Sequence, residues 1–268
     1  MTTDTTELLA ELERYYDTAP RAMCDTEEVG PFTLFVRRAN GFPYYARPRL
    51  GLTGQVTADD VRTVLSRQRE LELPRAVEWV HHTTPSLIEA ARSAGMTVEE
   101  CPLLVLAGDP PNVKPDGARV VAVDDPDLKL VCAAVSVSFA HAGTAVGEAS
   151  VAERDEEAAS RPTYAERVAA ILTAGLSVLV GAFDPQAGPV GGGSHNPRGD
   201  VSEVVGVGVL PAYRRRGLAA AITALLARNA LEQGVRTVFC SAQDDAVARV
   251  YEAVGFRRVG TACIAEAS

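Results

Sequence analysis

Strand-like and helix-like runs alternate through most of this chain, which predicts an α/β (α+β) architecture of mixed sheets flanked by helices. Two further observations divide that architecture in two. Residues 109–117, DPPNVKPDG, are dense in Pro, Gly and Asp and read as a linker. Sliding the chain by 160 residues places Gly95 on Gly255, Met96 on Phe256 and AVEWV (76–80) on RTVFC (236–240). Identity between the halves is low but the order of elements agrees, so two copies of one unit are expected, at 1–112 and 113–268.

The elements follow from periodicity and punctuation. Leu8, Leu9, Leu12, Tyr15 and Tyr16 share one face of a first helix. Strand-like runs come next at PFTLFVRR (31–38) and PYYARPRLGL (43–52). Thr57 and Asp60 have the spacing of a capping box, opening a helix that carries Val61, Val64, Leu65 and Leu71. The strand AVEWV, a helix over 86–94 stopped by Gly95, and the strand PLLVLAG (102–108) complete the first copy.

The second copy begins with ARVVAV (118–123) and a helix marked by Leu128, Val131, Cys132, Val135 and Phe139. Residues 142–162 are small and polar and are expected to form a mobile connection or part of a lid. Tyr164, Val168, Ile171 and Leu172 form another helical stripe, ended by Gly175. LSVLVGAF and GPVGGG predict a hairpin, and SHNPRGD a turn into the long strand VSEVVGVGVL (201–210). A helix with Leu218, Ile222, Leu225 and Leu226, the strand TVFCSA, a helix with Val247, Val250, Tyr251 and Val254, and a last strand close the chain.

Composition excludes several functions. With 26 Lys and Arg against 35 Asp and Glu, the formal charge of −9 argues against nucleic-acid binding, and an acidic surface steers basic partners such as amines. Five cysteines, with no CxxC pair, read as reduced, mostly buried thiols of a cytoplasmic protein. The N-terminal residues lack the basic and apolar regions of a signal peptide, and the longest apolar helical run, 217–227, is too short to span a bilayer. His81 and His82, adjacent on a strand, should face opposite ways, so no metal site is expected. A monomer or homodimer is expected.

One stretch carries chemistry: VGVLPAYRRRGLAA, 207–220. A helix N-terminus offers unbonded N–H groups and about half a positive charge, and so attracts anions. Gly217 permits close backbone approach, Ala219 keeps the next turn slim, and Pro211 ends the strand's pairing. Arg214, Arg215 and Arg216 add permanent charge suited to a diphosphate. Neither a Walker A loop nor a dinucleotide fingerprint fits these residues.

This stretch resembles the acyl-CoA signature of the GNAT N-acetyltransferase superfamily, Gln/Arg-x-x-Gly-x-Gly/Ala, with Arg214, Gly217 and Ala219 in its defined positions. DDAVARVYEAVGFRRVG (244–260) resembles the closing motif of the same superfamily, and the element order from Arg119 to Glu266 is similar as well. The resemblance implies a tandem GNAT chain that uses acetyl-CoA, a CoA thioester, as cosubstrate. It places the CoA pyrophosphate on the backbone of Arg215, Arg216, Gly217, Leu218 and Ala219, with the arginine side chains, Arg214 included, near phosphates. Val207 and Val209 would pair their backbone with the pantetheine arm, and Gly206 and Gly208 suggest a bulge splaying that strand, or simple tolerance at an edge.

Acyl transfer to an amine needs a base for the amine and a proton donor for the departing thiolate. Glu203, six residues before Val209, should share its face, and the resemblance makes it a general base; a solvent-facing carboxylate is the alternative. Tyr251 stands in the family's proton-donor position or is a buried structural tyrosine. Asp244 replaces a common asparagine in the cofactor region and is also a natural N-cap. His141 and His195 lie toward the acceptor side, as bases or as surface histidines. The aligned positions of the first copy, Asp59, Asp60 and Ala91, are unsuited to CoA, so that copy reads as degenerate. The acceptor is a small primary amine or a protein amine. A non-catalytic acyl-CoA sensor or partner-binding module is the competing class.

Overall fold

Helical spacing is satisfied from the start of the chain. In the computed structural model, which describes residues 3–38, 44–111, 117–161 and 163–267, α1 (Thr3–Arg21) buries Leu9, Leu12, Tyr15 and Tyr16. A strand without a clear hydrophobic signature follows, β1 (Cys24–Val29), antiparallel to β2 (Phe32–Arg37). Its sequence, CDTEEV, exposes most of its polar side chains, so no apolar run marks it. Of the run expected over 43–52, residue 43 lies outside the described residues and Arg47–Pro48 forms a short β3 on β2.

Thr57 opens α2 (Ala58–Glu70) with the expected capping box: its hydroxyl accepts from the Asp60 N–H at 3.2 Å, and its own N–H donates to Asp60 Oδ2 at 2.9 Å. β4 (Ala76–Val80), α3 (Leu87–Ser93) and β5 (Thr97–Leu106) follow. His81 and His82 fall in the turn after β4 rather than on the strand, and their rings meet edge to face at 5.4 Å instead of facing opposite ways.

The chain's last strand, Phe256–Glu266, runs antiparallel to β4, pairing Ala262 with Val80 and Glu266 with Ala76. Its Cys263 and Ala265 complete a core with Phe32, Leu34, Val61, Val64, Val77, Trp79 and Leu87. One unit therefore comprises Met1–Leu103 with Arg258–Ser268, and the other Leu104–Arg257. This differs from a single break near residue 112, because residues from Arg258 onward return to the first unit, where Cys263 and Ala265 are buried in its core. Most of the expected linker, 112–116, lies outside the described residues.

In the second unit β6 (Ala118–Val121), β7 (Val178–Asp184), β8 (Gly188–Arg198) and β9 (Val201–Val209) pair antiparallel in succession. β10 (Thr237–Ser241) joins β9 in parallel, which requires the crossover helix α7 (Leu218–Glu232) between them. Among the described residues three helices, not two, separate β6 from β7: α4 (Leu128–Ala140), α5 (Val151–Ser160) and α6 (Tyr164–Thr173). α8 (Asp245–Glu252) then leads to the last strand, β11.

The stretch expected to be a mobile connection thus contains α5, and Pro162 lies outside the described residues. The Ser150 N–H donates to Glu153 Oε2 at 2.7 Å, and the buried Arg154 donates to the carbonyls of Ala187 (2.9 Å) and Pro189 (2.5 Å). The buried residues of α5 are only Arg154 and Ala158, which leaves little apolar periodicity to read. SHNPR is likewise the end of β8, with the turn confined to Gly199 and Asp200. Pro197 is tolerated there because the ladder to β7 ends earlier, at His195 and Val178.

Adjacent glycines of β8 show how the helices flank the sheet. A Cβ on Gly192 would meet Val131 of α4 at 2.8 Å, and one on Gly193 would meet Ile222 of α7 at 3.1 Å. Successive strand residues point to opposite faces, so α4 and α7 cover opposite sides of this sheet.

Candidate functional site

β9 carries a bulge. Gly208 pairs with Gly192 and Val205 with Ser194, so three steps on β9 oppose two on β8, and Gly206 takes up the extra residue at φ +65°. The expected bulge is present, and it reverses another expectation. Glu203 pairs with Asn196 and Val209 with Gly191, five residues apart on β8, so Glu203 and Val209 face opposite sides of the sheet. Among the described residues the parallel ladder to β10 ends at Glu203 and Phe239, while β9 runs on to Val209. Residues 204–209, Val207 and Val209 among them, therefore leave the β10 ladder.

The strand ends in a single 3-10 turn, Pro211–Tyr213, with the proline at its start. Arg215 (φ +64°) and Gly217 (φ +78°) are both left-handed, and Gly217 sits at the N-cap of α7. No side chain caps this helix start among the described residues, and Ala221 donates the first helical bond, to Gly217 O. The N–H groups of Leu218 and Ala219 thus stand at the open end of a 15-residue helix. A Cβ on Gly217 would have no described neighbour within 4 Å, so the turn is open to close approach.

The three arginines, alike in sequence, behave differently. Arg215 is exposed. Arg216 is exposed too, 4.8 Å above the Tyr213 ring, with Asp184 Oδ2 at 3.5 Å. Backbone N–H groups of Gln186 and Ala187, with Arg216 adding less, hold the Asp184 carboxyl below its ordinary pKa. Arg214 is half-buried and turned inward: Nε reaches Val209 O (3.1 Å), Nη1 Ala145 O (3.1 Å), and Nη2 both Ser138 O (3.1 Å) and His141 O (2.5 Å). Its own N–H donates to Pro211 O at 3.3 Å.

Tyr251 on α8 is buried, 5.9 Å from the Phe256 ring. Burial, then Cys240 and Glu203, pushes its hydroxyl well above the ordinary tyrosine range, so it stays protonated and able to donate. Burial, with Glu203, likewise holds the Cys240 thiol neutral. The structure therefore brings Glu203, Tyr251 and Cys240 into one electrostatic neighbourhood where β9 and β10 part. Nothing local in the sequence marks Cys240 for this place. Asp244 is the N-cap of α8, its Oδ1 accepting from the Val247 N–H at 2.8 Å.

His195 is not a surface histidine. It is fully buried, with Nδ1 2.9 Å from Ser202 Oγ and Nε2 2.9 Å from Asn229 Oδ1, and burial lowers its pKa. Both ring nitrogens are engaged, which removes it as a base for a substrate. His141 is exposed at the end of α4, its Nδ1 3.0 Å from Val137 O. All five cysteines are buried and free. Among the described residues no helix is long and apolar enough to cross a membrane.

Comparison with known proteins agrees with this geometry. Residues 143–256 match the model of the acetyltransferase (GNAT) family. No curated protein matches the chain. A GCN5-related N-acetyltransferase from Kribbella flavida is 20% identical with a TM-score of 0.69, covering 97% of this chain and 95% of its own. A GCN5-related N-acetyltransferase-like protein from Streptococcus suis is 15% identical with a TM-score of 0.56, covering 98% and 99%. A tandem GNAT protein from the clavulanic acid biosynthesis pathway is 16% identical with a TM-score of 0.52, covering 88% and 78%. These likenesses establish the GNAT fold, and the family match supports acyl-CoA-dependent acetyl transfer as the class of activity.

Proposed function

We propose that the chain is an N-acyltransferase that passes an acetyl group from acetyl-CoA to a primary amine by direct attack in a ternary complex. The second copy, from residue 113, is catalytic, and the first, to residue 112, is degenerate. One observation carries this reading: an uncapped helix start, open at Gly217 and flanked by exposed Arg215 and Arg216, follows a strand that bulges away from its neighbour. That donor set fits a diphosphate followed by an extended arm.

The backbone N–H groups of Arg215, Arg216, Gly217, Leu218 and Ala219 hold the pyrophosphate, and the Arg215 and Arg216 guanidinium groups neutralise it. Val207 and Val209 offer backbone to the pantetheine arm along the freed edge of β9. When bound, acetyl-CoA supplies an activated thioester carbon. Glu203 takes the proton of the attacking amine, directly or through water, as the new C–N bond forms. Tyr251 gives or shares its hydroxyl proton with the sulfur as the C–S bond breaks. Asp244 acts at one remove, fixing the start of the helix that carries Tyr251.

The degenerate reading of the first copy is supported by α2, whose start is closed by its own capping box and carries Asp59 and Asp60. Titration calorimetry with acetyl-CoA should find one site per chain; two sites, or none, would overturn the reading. A panel of small amines and amine-bearing peptides, followed by CoA thiol release, should then find a consumed acceptor. Binding without consumption across the panel would favour the sensor.

A further inference from the structure

We propose that Arg214 is a positioning residue rather than a phosphate ligand. It fastens the end of α4 and the loop after it to the turn before α7, so that filling the turn also orders the loop. What fills the turn rests on the acyl-CoA reading above.

The guanidinium spends all three of its nitrogens on backbone carbonyls of Val209, Ala145, Ser138 and His141, and its main-chain N–H on Pro211. Among the described residues none of these partners is a carboxylate. The charge is balanced instead by the C-terminal end of α4, where the helix dipole is negative and Ser138 O also accepts the N–H of the C-cap His141. Burial lowers the Arg214 pKa, but an arginine keeps its proton. Its fork geometry lets one side chain reach a strand end, a helix end and a loop at once.

Other contacts join the same two segments. The Gly147 N–H donates to Pro211 O at 3.2 Å and the Ala212 N–H to Ala149 O at 3.0 Å. A Cβ on Gly208 would collide with Ser138 Oγ, so the end of α4 is pressed against the bulged part of β9. The segment held in this way exposes Phe139 and Val146, two large apolar side chains, beside the strand along which the thioester lies in the proposed reaction. An acceptor approaching that bond meets this segment. A CoA-loaded turn and an ordered acceptor side are then energetically coupled through Arg214.

The test is amide hydrogen exchange of residues 138–149, with and without CoA, in the wild type, Arg214→Met and Arg214→Lys, alongside CoA titrations that include Arg215→Ala. Arg214→Met should keep CoA affinity within about threefold, while Arg215→Ala loses about tenfold. Amides of 141–147 should exchange about tenfold faster in Arg214→Met, and CoA should slow them in the wild type but not in that variant. Arg214→Lys, which keeps the charge and some of the carbonyl bonds, should fall between, and it carries the comparison if Arg214→Met does not fold. A loss of CoA affinity as steep as that of Arg215→Ala, with unchanged loop exchange, would make Arg214 a phosphate ligand and overturn the proposal. Equal slowing by CoA in the wild type and Arg214→Met would overturn the coupling. If the wild type binds no CoA, the acyl-CoA reading fails, while the ligand-free exchange comparison still decides whether Arg214 holds the loop.

Discussion

Helices α2 and α7 begin 160 residues apart, at Ala58 and Leu218, and their first turns solve one problem in opposite ways. Both must deal with N–H groups that have no helical partner. At α2 the side chains do so: Thr57 caps, Asp60 answers, and Asp59 adds a second carboxylate. At α7 Gly217 has no side chain to cap with, its backbone is left-handed, and Ala219 and Ala220 stand where α2 carries Asp59 and Asp60. The first start is closed by the protein itself. The second is left open. On the proposed reading, a helix terminus becomes a binding site through what is withheld from it as much as through what is placed there.

Making α7 resemble α2 should have the largest effect. Ala219→Asp puts a carboxylate where α2 carries Asp59, and repulsion of a diphosphate at contact distance should weaken CoA binding about 100-fold. A calorimetric change under about threefold would break the comparison. Next in size, Tyr251→Phe should lower turnover about a hundredfold while leaving CoA affinity within about threefold. Glu203→Gln should flatten the acidic limb of the pH–rate profile; an unaltered profile removes Glu203 as the base.

On the closed side, Thr57→Ala should cost about 1 kcal/mol, lowering the melting temperature by about 2–4 °C with CoA binding unchanged. Any loss of CoA affinity would mean that the two starts are not independent. The smallest effect lies at the far ends of the helices. Gln68 of α2 donates to Ala76 O at 2.7 Å, a pairing indifferent to pH, whereas Asn229 of α7 pairs with His195. Burial depresses the His195 pKa below the ordinary imidazole value of 6.5, so the unfolded chain binds the proton more readily. This contribution is complete above that value and is lost as the pH falls below it. Melting temperature should therefore drop more between about pH 7.5 and about pH 5.5 in the wild type than in His195→Gln; equal slopes would show that His195 does not titrate on unfolding.

Much of the fold was legible. The capping box at Thr57, the strand over 76–80, the stop at Gly95 and the helices after Gly217 and Asp244 stand where local pattern places them. The order of elements expected from the 160-residue offset is present as well, α2, β4, α3 and β5 being followed by α7, β10, α8 and β11. What escaped lacked apolar contrast. β1 is mostly polar, α5 buries only Arg154 and Ala158, and the polar SHNPR run is the end of a strand.

The sequence by itself determined where an anion site could form, because an N-cap glycine, the proline before it and neighbouring arginines act within one turn. It also determined that the two helix starts differ, since the capping residues are neighbours in the chain. Only the tertiary structure decided which arginine turns inward and which stay exposed, because the carbonyls that claim Arg214 on α4 and its loop lie 69 to 76 residues away. Only the tertiary structure turned Glu203 away from Val209, because one extra residue in a bulge reverses strand parity. It also buried His195 and gave the last strand to the first unit. Each of these depends on which distant segment fills the space beside a residue, and that is settled by packing.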